Sequence, residues 1–149
     1  MTTTEFEQRL RKLALREGMT ISTFAGLGEA DRAVLRATIL ARFEAATVYT
    51  ERQVNERLKA WLAGAGSMVE TDHVNLRRLL IDTQVMTRTA DCAEYRVHPG
   101  AIAGPPAALT AQDADAVVAG ARRDRQAQRA ARKAAWLRRA DGAGRTGAP

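Results

Sequence analysis

The sequence predicts a mostly α-helical protein with one small β-hairpin, and three observations carry that reading. Tyr49 to Asp82 (YTERQVNERLKAWLAGAGSMVETDHVNLRRLLID) reads as two helices in tandem, each with its own start signal. Val85–Arg88 and Glu94–His98 alternate with a period of two around the turn-like Thr89–Ala93, as the strands of a hairpin do. An apolar stripe over Glu29–Phe43 places another helix ahead of the tandem pair. Helix, helix, helix, hairpin is the order of a winged helix-turn-helix, here with an added N-terminal helix and a long basic C-terminal helix.

Residues 1–28 are expected to form the N-terminal helix and a connector. Thr4 and Glu7 have the spacing of a capping box, in which a hydroxyl and a carboxylate satisfy orphan amides reciprocally. Phe6, Leu10, Leu13 and Ala14 recur at helical spacing, Gly18 supplies a stop, and Met19–Leu27 reads as irregular. Residues 29–99 form the expected winged-helix domain. Its first helix carries Val34, Leu35, Ile39, Leu40 and Phe43 on one face. Thr47–Tyr49 suits a short strand, and Thr50 with Gln53 repeats the capping-box spacing, flanked by the staple pair Tyr49 and Val54. Val54, Leu58, Trp61 and Leu62 continue the stripe until Gly64-Ala-Gly-Ser67 ends it. Thr71 or Asp72 caps the next helix, whose inward face is Leu76, Leu79 and Leu80. Residues 100–109 are a Pro/Gly linker, 110–140 a basic Ala/Arg-rich helix of roughly 45 Å at 1.5 Å per residue, and 141–149 a Gly/Ala-rich tail expected to be disordered.

Charge is distributed unevenly along the 149 residues. The formal net charge is +6, yet residues 1–120 hold 14 basic and 15 acidic groups. From Ala121 onward nine basic residues face only Asp124 and Asp141, so the basicity belongs to the C-terminal helix. No apolar run is long enough to span a bilayer, and the N-terminus lacks the basic start and apolar core of a signal peptide, which predicts a cytoplasmic protein without a membrane partner. Cys92 is alone, and His73 and His98 are too far apart for a known metal-ligand spacing. No phosphate-binding loop, dinucleotide fingerprint or nucleophile elbow is present. Neither an enzyme nor a cofactor is expected.

The helix from Asp72 is the candidate reader of a DNA major groove. Such helices contact base edges from their N-terminal half, which here offers His73, Asn75, Arg77 and Arg78. The structural alternative is that Arg77 bridges to a carboxylate on a neighbouring helix and that Arg78 pairs with Asp82 four residues on. Arg88 and Arg96 of the hairpin are placed near the DNA backbone. Arg122, Arg123, Arg125, Arg129, Arg132 and Lys133 of the C-terminal helix are placed on phosphates. Val74, Ile81, Trp136 and Leu137 are the apolar residues on otherwise polar faces, and they suggest a partner contact. For Trp136, stacking of a nearby arginine on the indole is a local alternative. Two functions follow: a DNA-binding transcriptional regulator, or a non-enzymatic interaction module that pairs with a second copy or another protein through its C-terminal helix.

Tyr49-Thr-Glu-Arg-Gln-Val-Asn55, Asp72-His73, Leu76-Arg-Arg78, Leu80 and Asp82, with Arg88 and Tyr95 of the hairpin, give the stretch from about Asp31 to His98 a family likeness. It resembles a bacterial family known as domain of unknown function 2087. The resemblance implies a small winged-helix module, of a kind sometimes joined to ArsR-type regulators, and hence a transcriptional setting. Thr83-Gln84 stands where the family pattern has a glycine before the hairpin, and the basic helix lies outside the family core.

Overall fold

The computed structural model describes residues 1–102 and 109–146. Helix α1 spans Thr3–Ala14. Its capping box is Thr2 with Glu5, two residues earlier than the expected Thr4 and Glu7. Both pairs have the same spacing, and the earlier start adds hydrogen-bonded residues to the helix. Phe6, Leu10, Leu13 and Ala14 are buried as the periodicity predicts.

The segment read as an irregular connector is ordered in two ways. Gly18 adopts a left-handed φ of 68°, which turns the chain so that Met19 forms a parallel bridge to Val69. Thr20 then caps a five-residue helix α2, Ile21–Ala25, whose Phe24 meets the Trp61 ring edge-on at 6.4 Å. One turn is too short for a periodicity to show.

Helix α3 runs Glu29–Leu40 and ends before Phe43, because Arg42 and Phe43 tighten to bonds on the Ile39 and Leu40 carbonyls. Helix α4, Glu51–Ala63, begins at the expected Thr50–Gln53 capping box, and Tyr49 and Val54 are buried on either side of it. Trp61 is wholly buried, and its indole N–H donates to the Thr38 hydroxyl at 2.9 Å. That hydroxyl donates in turn to the Leu35 carbonyl, so the buried polar pair is satisfied. A Cβ at Gly66 would lie 2.2 Å from this indole, so only glycine lets the chain close over it.

Helix α5, His73–Asp82, is capped by Asp72, and Leu76 and Leu80 are buried beneath it. Strands β1 (Met86–Arg88) and β2 (Tyr95–Val97) pair antiparallel with Thr87 opposite Arg96. Tyr49 exchanges two 2.8 Å backbone bonds with Tyr95, so the expected strand at Thr47–Tyr49 survives as a single bridge. In the turn between the strands, the Thr89 hydroxyl and the Ala93 amide donate to Asp91, which holds its carboxyl below the ordinary value.

Pro99–Ile102 form a 3₁₀ turn where the linker was expected to begin, and residues 103–108 lie outside the described residues. Helix α6 spans Ala111–Thr146. It passes the expected end near Arg139 or Ala140, because Gly142 and Gly144 weaken a helix by only about 1 kcal/mol each and no proline stands between Pro106 and Pro149. Its first turns are packed against α1 and α3, with Ala114, Val118 and Ala121 buried in the same core cluster as Phe6, Leu10 and Val34.

Candidate nucleic-acid interface

The residues of α5 divide by what α4 offers them. The Arg77 guanidinium lies 2.7 Å from the Glu51 carboxylate, donates to the Asn55 side-chain carbonyl, and is only 15% exposed. It clasps the start of α4 to α5, as the structural alternative for this residue supposed. Arg78 is exposed and forms no ion pair or hydrogen bond among the described residues, so the supposed pairing with Asp82 is not made. Asn75 is exposed and His73 half-buried. Val74 is exposed, whereas Ile81 is partly buried against the core. The outer face of α5 therefore presents Val74, Asn75 and Arg78, with Asp82 at its end.

Arg88 and Arg96 are both exposed, but side chains alternate across a strand. Arg88 shares the Met86 and Tyr95 side of the hairpin, while Arg96 lies opposite, with Thr87, and sits 3.8 Å from Glu94. Both reach a single DNA backbone only if the hairpin meets it edge-on.

The leading turns of α6 are held by charge as well as by apolar contact. The two carboxylate oxygens of Asp115 each accept from Arg42 at 2.6 Å, and one also accepts from the Ala65 amide at 2.7 Å. A Cβ at Gly64 would fall 2.3 Å from that carboxylate, so glycine is needed for its approach. Arg122 donates to the Ala14 carbonyl at 3.2 Å, and Asp124 pairs with Arg11. Sequence reasoning missed Asp115 and Arg42. The available signal was a carboxylate set among Ala114, Val117, Val118 and Ala121 on an otherwise apolar stripe.

Beyond Asp124 the helix leaves the domain. Arg125, Arg129, Arg132 and Lys133 are exposed and take part in no salt bridge among the described residues, as is Arg123 just before them. Trp136 is 66% and Leu137 47% exposed. Of the residues assigned to phosphates, Arg122 is thus engaged within the domain while the other five are presented to solvent. Among the described residues no group of His, Cys, Asp and Glu is arranged to hold a metal ion, and no helix is long and apolar enough to cross a membrane.

Comparison with curated proteins and with solved structures returns no significant match. The family likeness is carried by the segment from just before α3 to the end of β2: residues 27–97 match the family described as "Uncharacterized protein conserved in bacteria (DUF2087)".

Proposed function

We propose that the protein binds DNA as a winged helix-turn-helix regulator of transcription. In this reading α5 enters the major groove, the hairpin is the wing, and α6 adds sequence-independent phosphate contacts. The observation that carries it is the projecting part of α6. Residues 125–146 hold seven basic residues against Asp141 alone, a net +6 equal to that of the whole chain. Counterion release from such a segment favours any polyanion and makes binding steeply salt-dependent. The order of α3, α4, α5 and hairpin supports the winged-helix assignment. Asn75 and Arg78 are the side chains free to read bases, with Arg77 withdrawn into its clasp on Glu51.

A salt titration against random duplex DNA tests the attraction, and no binding at about 50 mM salt sinks the proposal. Arg78→Glu tests the groove. Because Arg78 is unpaired, the fold should be unchanged, sequence preference should vanish, and bulk affinity should fall by only about the share of one contact in several. A variant that selects the same sequences as the wild type removes α5 from the groove.

Exposed Val74, Trp136 and Leu137 favour a second reading, in which the domain is a scaffold and α6 pairs with another protein or a second copy. Light scattering that gives a strict monomer counts against the self-pairing form of it.

A further inference from the structure

At 100° per residue, the face by which α6 docks runs on unbroken past the edge of the domain. Ala114, Val118 and Ala121 are buried on that face, and Arg125, Arg129, Arg132, Trp136 and Arg139 follow on it, with Lys133 at its margin. An apolar stripe thus becomes a cationic one where α1 ends. Just there, Arg16, Arg122, Arg125 and Arg129 line a cleft with Gln126 and one carboxylate, Glu17. The stripe from Arg125 to Lys133 is exposed and has no carboxylate partner among the described residues, and the large exposed indole of Trp136 lies along its midline.

We infer that this stripe is a binding site for single-stranded nucleic acid, with the arginines on the phosphates and Trp136 stacked on an unpaired base. The inference goes beyond the duplex reading, with which it shares the cations of α6, and it adds Trp136 while using no residue of α5. Aromatic rings interleaved with cations are what single strands require, because an unpaired base exposes a π-face that a duplex keeps within its stack. A lipid surface fits less well. A helix lying in a membrane interface turns its aromatic and aliphatic residues away from its cations, whereas Trp136 here sits among them. The opposite side of the arm, with Ala127, Ala130, Ala131 and Ala134, offers little apolar depth.

The test uses the full chain, an oligothymidine, a random duplex, and phosphatidylserine vesicles at matched salt. Trp61 is buried and hydrogen-bonded to Thr38, so a change in tryptophan emission on binding reports Trp136. Oligothymidine should quench that emission. Trp136→Ala should weaken oligothymidine binding by about tenfold, Trp136→Phe should restore most of it, and duplex affinity should not change. Equal oligothymidine affinity for wild type and Trp136→Ala overturns the site while leaving the duplex reading of α5 intact. So does an emission change on vesicles alone, or a halving of the scattering mass in Trp136→Ala, which would assign the indole to a lipid surface or to a second copy. Loss of duplex binding with quenched oligothymidine binding retained would overturn the duplex reading and support this one.

Discussion

Single residues decide which parts of α5 are open to a ligand. Arg77 and Arg78 are adjacent and chemically identical, yet one is clasped and the other free, because only Arg77 faces Glu51 and Asn55 on α4. The sequence allowed Arg77 a carboxylate on a neighbouring helix, and that partner could be named only once the two helices were packed. Backbone strain is equally residue-specific. Gln84, just before the hairpin, has a φ of 59°, in the left-handed region that favours glycine. A non-glycine residue there costs about 1–2 kcal/mol, partly offset by the greater freedom glycine has in the unfolded chain. Gln84→Gly is therefore expected to stabilise the protein by about 0.5–1 kcal/mol, read as a higher urea midpoint with an unchanged slope. A lower midpoint would show that the Gln84 side chain stabilises the fold by more than the strain costs.

Elements with strong local signals were legible from sequence, and those fixed by distant contacts were not. The α4 capping box and the hairpin lie where local chemistry put them, because hydroxyl-to-amide bonds and period-two alternation are written within a few residues. The α2 turn and the Met19–Val69 bridge left no such mark, the first being one turn long and the second joining residues 50 apart. The docking of α6 belongs with these. Asp115 couples three elements by accepting from Arg42 after α3 and from Ala65 after α4. Arg42 is only 13% exposed, so removing its partner leaves a largely buried cation without its counter-charge. Asp115→Ala should destabilise the protein by about 2–3 kcal/mol and speed hydrogen exchange in the first turns of α6 while leaving α5 protected. Unchanged exchange near Val118 would show that apolar contact alone holds the helix down.

At the scale of the molecule, charge and fold occupy different parts of the chain. Residues 1–124 are formally neutral, and the whole net charge lies beyond them, on the part of α6 that extends about 33 Å if helical throughout. Ending the chain after Asp124 keeps Ala114, Val118, Ala121 and Asp115, so the thermal midpoint should stay within about 2 °C. The log–log salt slope for duplex binding should fall by about 3 to 6. A slope that survives the truncation would place the phosphate contacts on the domain instead. The core itself draws on both ends of the chain. Phe6, Leu10 and Leu13 of α1 and Ala114, Val118 and Ala121 of α6 pack into it from outside residues 27–97. The segment that matches the family is therefore smaller than the unit of folding: cut out alone, it would show water the side of α3 that α1 and α6 cover. Any chain that carries the same segment in another setting has to supply its own cover for that face, and such covers are free to diverge while the segment beneath them stays recognisable.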